Sequence, residues 1–524
     1  MSKMKNWVFN RKFFTHIAVI VGFSLILGSV FQIVLAAGDF IPGFLVASLL
    51  IFICGIVLYL AWCISGRTKM LAWMMVVAFV LRLALGLFFA WGMPRYGYDE
   101  DPQNAGFVFE DAYRREADAW HLAKSEASLM TAFGDEYQTD QYGGMLALSA
   151  LVYRTISPDA YRPWLISIIA AGVMTLSLPF LLSALKRRFD KRVSQWAGWI
   201  LALYPEGLLV GAAQLREPYF ILIFTILFWA TVNILDGKKL KLSILTMLLS
   251  TGCLFLFSFR IGVPILGVML VLMWVEFSSK FNRLWIKIAG WAIIILGIAV
   301  ILYLSWYWVD AVLWWDTLVT IRTSNRVQLH LGALPQWLHF PFILIYGIFQ
   351  PVLPAAIAAP APWIWRALGI FRALGWYALL PLLAYALISV WRMKGSKKKR
   401  WMIVITALVW LWIFIASARA GGDQWDNPRY RTIFLPWMGL VAGWAVTFAR
   451  KLKDRWLTRS LIMEGIFLAF FTNWYISRYH PSIPRLEFYA SVVLIIVLSL
   501  VVIVSGLLRD RHRSKKSFPD SPGD

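Results

Sequence analysis

Residues 70–120 read MLAWMMVVAFVLRLALGLFFAWGMPRYGYDEDPQNAGFVFEDAYRREADAW, and the change of character halfway along decides the fold. From Met70 to Trp91 the only charge is Arg82, and the run is long enough to cross a hydrocarbon layer, which takes about 17 to 25 apolar residues. From Asp99 to Asp118 seven carboxylates follow. The rest of the chain repeats the first half of this pattern: of 524 residues 60% are hydrophobic and 15% charged, and the mean hydropathy is +0.67. Such a chain is too apolar for water, so an all-α, polytopic transmembrane bundle is expected.

Apolar windows fall at 13–36, 43–64, 70–91, 163–185, 195–213, 218–235, 242–259, 261–277, 284–308, 371–391, 401–418, 432–448, 460–475 and 489–508, about fourteen spans. The first window is longer than the hydrophobic part of a signal peptide, about 7 to 15 residues, and is read as a retained span. The net charge of +23 does not indicate nucleic acid, because its placement follows the spans. With Lys3, Lys5, Arg11 and Lys12 taken as cytoplasmic, 33 of the 51 basic residues fall on that side and 20 of the 28 acids fall on or toward the other. Both termini are therefore expected in the cytoplasm of a multi-pass protein of the cell membrane.

The segment 340–358 is apolar enough to cross, yet a crossing there would put the basic cluster Arg392 to Arg400 outside. Its run of prolines breaks helices, so a re-entrant or interface-lying piece is expected instead. Lysine and arginine are also sorted: 19 of the 20 lysines lie on the cytoplasmic side, and the remaining 18 basic residues are Lys124 and seventeen arginines. Orientation alone does not distinguish the two. A guanidinium grips phosphate or carboxylate with a planar fork and stays charged when desolvated, so the set points to an anionic ligand, with structural pairing to the acids as the plainer alternative. Arg82 and Arg260 are the intramembrane candidates. Cys54, Cys63 and Cys253 lie in apolar spans and form no disulfide framework, and the six histidines show no close ligand spacing. A divalent metal is left open as a cofactor.

The acidic stretch lies in a connection from about residue 93 to 160, too long to be a mere linker. Within it Phe109, Tyr113, Ala117, Trp120 and Ala123 recur at helical spacing, which predicts an amphipathic interfacial helix. Asp111, Arg115 and Asp118 stack on one face of that helix. They are candidates for a general base, or else belong to a solvated, salt-bridged face.

Four segments, in order, resemble the GT-C superfamily of integral-membrane glycosyltransferases, in particular glycosyltransferase family 39 with its protein O-mannosyltransferase and aminoarabinose transferase relatives. They are YDEDPQ with FEDAYRREADAWHLA (98–123), TDQYGGMLALSALVYR (139–154), LYPEGLLVGAAQLREPYFILI (203–223) and DNPRYRTIFLPWMGLVAGW (426–444). The resemblance implies a transferase using a polyprenyl-phosphate sugar donor at the outer face, with a protein, lipid or glycan acceptor, a carboxylate base in the first outer loop, and basic residues on the lipid phosphate. Asp111, Asp118 and Asp99 are then the candidates for the base. Glu100, Asp101, Asp140, Arg216, Glu217, Arg260, Arg429, Tyr430 and Arg431 are the candidates for substrate binding, with Glu217 the natural mate of Arg216 and Asp426 of Arg429. The core implied is 70–450, preceded by a two-span addition (1–69) and followed by further spans (451–508) and a disordered tail (509–524). This chain has two spans before the one leading into the acidic loop, where the family commonly has one. Membrane lipids are the other expected partners, nucleic acid is not one, and a flippase or transporter without transferase chemistry is the alternative from another class.

Overall fold

The computed structural model describes residues 11–134, 136–137, 143–304, 325–395, 397–480 and 482–516, and among them every regular element is helical. The chain divides into two compact units, one within 1–314 plus 429–436, the other within 315–428 plus 437–524.

In the first unit the helices are α1 (Arg11–Leu35), α2 (Phe40–Ile64), α3 (Lys69–Tyr96), the one-turn α4 (Asp101–Asn104), α5 (Glu110–Lys124), α6 (Gly144–Thr155) and α7 (Trp164–Arg188). They continue with α8 (Lys191–Leu203), α9 (Pro205–Gly211), α10 (Glu217–Leu235), α11 (Leu240–Phe257), α12 (Phe259–Ser278) and α13 (Leu284–Leu304). Helix α7 is the core: it packs against α2, α3, α8 and α10, and side chains from Ile166 to Leu185 are buried around most of its circumference. A helix apolar on every side has no preferred face toward water and is surrounded. Helices in lipid gain nothing from expelling water, so close approach at small residues matters more. A Cβ at Gly172 would stand 2.6 Å from Cys54 Sγ, and glycine there lets α2 and α7 meet.

The window 195–213 is a broken element. Pro205 has no N–H for the carbonyl of Leu201 and ends α8. The vacancy in the hydrogen-bond ladder is filled from α3: Arg82 Nη2 donates to Leu201 O at 3.0 Å, and Nη1 donates to Ala78 O at 2.9 Å. A Cβ at Gly211 would fall 2.5 Å from Arg82 Nε, so the glycine makes room for the guanidinium. Arg82, expected as an intramembrane anion-binding candidate, is committed to main-chain carbonyls.

The second unit contains α14 (Asn325–Ala333), α15 (Gln336–Phe349), α16 (Leu353–Ala358), α17 (Trp363–Ser389), α18 (Lys397–Ala420), most of α20 (Leu435–Leu452), α21 (Trp456–Ile476) and α22 (Phe488–Lys516); of α19 (Asp426–Thr432) the residues up to Pro428 belong to the second unit and those from Arg429 to the first. The segment 340–358 is interrupted as its prolines predict, by the stretch 350–352 between α15 and α16. The carbonyls at the end of α15 are taken up by α17: Trp376 Nε1 donates to Ile348 O at 2.7 Å and Tyr377 Oη to Phe349 O at 3.2 Å. A bidentate pair, Arg459 to Asp510 at 2.6 and 2.9 Å, ties α21 to α22.

Among the described residues ten helices are long and apolar enough to cross a membrane: α1, α2, α3, α7, α10, α11, α12, α17, α18 and α22. The pair α19 and α20, bent by 75°, makes eleven if counted as one span. The other three windows are helical but fall short: 195–213 is split at Pro205, 284–308 holds the apolar stretch Leu284–Gly297 and runs out of the described residues, and 460–475 carries Glu464, Thr472 and Asn473. Helix α22 runs on to Lys516, into the polar tail expected to be disordered; residues 517–524 lie outside the described set.

Candidate functional site

Helix α5 forms where the spacing predicts, but the face it buries differs. Ala112, Arg115, Glu116, Ala119 and Leu122 are buried against the rest of the unit, while Tyr113, Ala117, Trp120 and Ala123 are only half-buried. A helix that buries two charged residues has to supply partners for them. Glu116 is inaccessible and accepts hydrogen bonds from Ser149 Oγ at 2.9 Å and Tyr153 Oη at 2.6 Å, both from α6. Burial first, and then the charge of Glu116, push the Tyr153 phenol well above its ordinary range, so it stays a donor. Arg115 Nε lies 3.8 Å from Glu116, and its Nη2 donates to the carbonyl of Gln214, just before α10.

The end of α5 is fastened separately. Its last carbonyls have no helical partners, and Arg154 of α6 reaches them: Nη2 donates to Leu122 O at 2.6 Å, Ala127 O at 2.9 Å and Ser125 O at 3.2 Å, and Nε to Ala123 O at 3.4 Å.

At the other end stands Asp111. Its Oδ1 accepts from Arg429 Nη1 at 3.2 Å, its Oδ2 lies 3.0 Å from the same nitrogen, and Arg429 Nε lies 3.0 Å from Glu217 Oε1, in the first turn of α10. The rings of Phe109 and Tyr430 sit 5.4 and 5.5 Å from the guanidinium carbon, within cation–π range. Arg216, the residue before α10, adds its field at Asp111. Burial works against the Asp111 charge, but Arg429, Arg115 and Arg216 together outweigh it and hold the carboxyl below the ordinary aspartate range. Three guanidinium groups (115, 216, 429) and three carboxylates (111, 116, 217) thus gather in one unit, formally neutral when all six are ionised.

Glu217, suggested by the sequence as the mate of Arg216, pairs with Arg429. Asp118 lies along the same face of α5 as Asp111, half-buried, and its charge acts on Tyr137. The triplet 99–101 is exposed in the turn into α4, where Asp99 accepts from Asn104 Nδ2 at 2.9 Å and Glu100 from Gln103 Nε2 at 3.1 Å. Arg431, two residues after Arg429, projects from the opposite side of α19 and is buried. Arg260 is half-buried in the first turn of α12. Asp140 lies outside the described residues. Among the described residues no three His, Cys, Asp or Glu side chains converge to hold a metal ion.

Sequence reasoning counted Glu116 only as one of the seven acids between Asp99 and Asp118, and it passed over Ser149 and Tyr153. The signal was there: two hydroxyl side chains at i and i+4 in an apolar run share one helix face and call for a buried polar partner. Compared with protein-family models, with curated proteins and with solved structures, the chain has no match.

Proposed function

We propose that this chain is a membrane glycosyltransferase of the GT-C kind, which moves a sugar from a polyprenyl-phosphate donor to an acceptor at the outer face of a bundle of about fourteen spans. One observation carries the reading. The four segments that resemble the family supply one cluster: Asp111, Arg115 and Glu116 from the first, Ser149 and Tyr153 from the second, Gln214, Arg216 and Glu217 from the third, Arg429 and Tyr430 from the fourth. A purely structural ion pair does not need four separate segments.

In the reaction the acceptor's hydroxyl or amine attacks the anomeric carbon, and the carbon–oxygen bond to the phosphate breaks. The electron pair leaves with polyprenyl phosphate and the acceptor's proton passes to a carboxylate. Asp111 is the first candidate for that base, followed by Asp118 and Asp99. Arg429, Arg216 and Arg115 supply the positive charge that steadies the departing phosphate.

The test is a membrane assay with radiolabelled polyprenyl-phosphate sugars. Label passing from lipid to a second molecule supports the reading; labelled lipid that crosses the bilayer without losing its sugar supports a flippase. Orientation is tested in a chain whose three cysteines are replaced by serine. A cysteine at Glu110 should react with an impermeant thiol reagent added outside, and one at Gly395 should not; the reverse pattern would overturn the proposed sidedness.

A further inference from the structure

The two carboxylates on Arg429 are not equivalent. The Glu217 side chain is 6% exposed and belongs to the first turn of α10, whose second residue is Pro218, so its backbone is held in place. The Asp111 side chain is 43% exposed and stands on the first turn of α5, away from the end fastened by Arg154. The Arg429 side chain itself is 7% exposed. Of the three side chains joined here, Asp111 is the one with solvent access. The cluster is also formally neutral, so it offers an incoming anion no net attraction while all six charges are in place.

We infer that Asp111 is an internal competitor for Arg429, an autoinhibitory contact that a phosphate anion has to displace before it can bind. The inference rests on the reading of this cluster as the phosphate end of a transferase site and adds a regulation to it. When the anion takes Nη1, the Asp111 carboxylate loses its direct partner but keeps Arg115 and Arg216 nearby, and in that state it is open to an acceptor's proton. Occupancy of the donor site and arming of the base become one event. Linkage makes the effect reciprocal: whatever tightens Asp111 on Arg429 weakens the anion by the same factor, and whatever removes Asp111 strengthens it.

The experiment measures binding of farnesyl phosphate, with farnesol as the uncharged control, to the full chain in phosphatidylcholine nanodiscs by calorimetry at fixed salt. Removing a charge-assisted bond that competes with the ligand should tighten binding by about tenfold or more in Asp111→Asn. Asp111→Ala, which cannot hydrogen-bond to Arg429 at all, should tighten it as well, and Asp111→Glu, which keeps the competing charge, should bind like the wild type. Binding by Asp111→Asn and Asp111→Ala that is unchanged or weaker overturns the inference, because Asp111 would then only orient Arg429. Absence of binding in every variant overturns it too. The transfer assay separates this outcome from the fate of the functional reading: transfer by the wild type with no tightening in the variants leaves the transferase standing without the latch, and tightening without transfer from any lipid-linked sugar leaves the latch without the transferase.

Discussion

Arg82 and Arg429 are both buried arginines, and they are held in opposite ways. Arg82 lies within α3 and donates to two main-chain carbonyls, one of them orphaned by Pro205; neither carbonyl can move without unwinding a helix. Arg429 is held by two side-chain carboxylates, from α5 and α10, and a side chain can swing away. A guanidinium held by backbone is part of the scaffold, whereas one held by side-chain carboxylates has a partner, Asp111 above all, that a change of rotamer can release. The depth of a charge in an apolar chain does not separate the two cases; the kind of partner does.

The largest effect expected from this contrast is on chemistry. In the proposed reaction Asp111→Asn preserves size and removes the proton acceptor, so transfer should fall by about two to four orders of magnitude even as the donor's phosphate binds more tightly. If both Asp111→Asn and Asp118→Asn keep full transfer, the base lies elsewhere, with Asp99 next. Arg429→Lys comes second: a point charge cannot serve Asp111 and Glu217 or a phosphate with a fork, and kcat/KM for donor should fall by about ten- to a hundredfold. Arg82→Met should do the converse. It leaves Leu201 O without its donor, lowering stability by about 1–3 kcal/mol in thermal or denaturant unfolding, with the KM for donor unchanged. A loss of donor affinity in Arg82→Met with stability intact would erase the distinction.

The pH dependence is smaller. Asp111 has a folded-state affinity for protons below its unfolded value, so its pairing stabilises the fold fully above about pH 4 and the contribution is lost as pH falls through the lowered value. Asp159 follows the same sign, held down first by its hydrogen bonds from Arg162. Acid unfolding curves of the wild type and Asp111→Asn should therefore converge at low pH and separate above it. The smallest effect belongs to the i,i+4 pair Arg114–Glu110, exposed on both sides, where Glu110→Gln should change stability by less than about 0.5 kcal/mol.

The membrane class was legible because it needs only run lengths of apolar residues, and the windows at 13–36 and 489–508 became α1 and α22. The break at Pro205 could be suspected from the proline, but its repair by Arg82 joins residues 119 positions apart and no local pattern carries that. The site was partly legible. The stacking of Asp111 with Arg115 follows from helical period, and the Arg-Tyr-Arg entry was marked by the resemblance. That Glu217 answers Arg429, and that Glu116 turns inward while its neighbours Asp111 and Asp118 are partly solvated, depends on which face of α5 meets α6. Two faces of one helix competed for burial, and hydroxyl groups on the partner outweighed the apolar stripe.

Helix α5 is fastened three times along its length. Arg154 grips four carbonyls around its last turn, Ser149 and Tyr153 hold Glu116 in its middle, and Asp111 meets Arg429 in its first turn. A rod held at three points has its register along its own axis fixed, so the place of Asp111 opposite Arg429 is set by the whole helix and not by the ion pair alone. Arg154→Gln would leave that register to the two remaining holds.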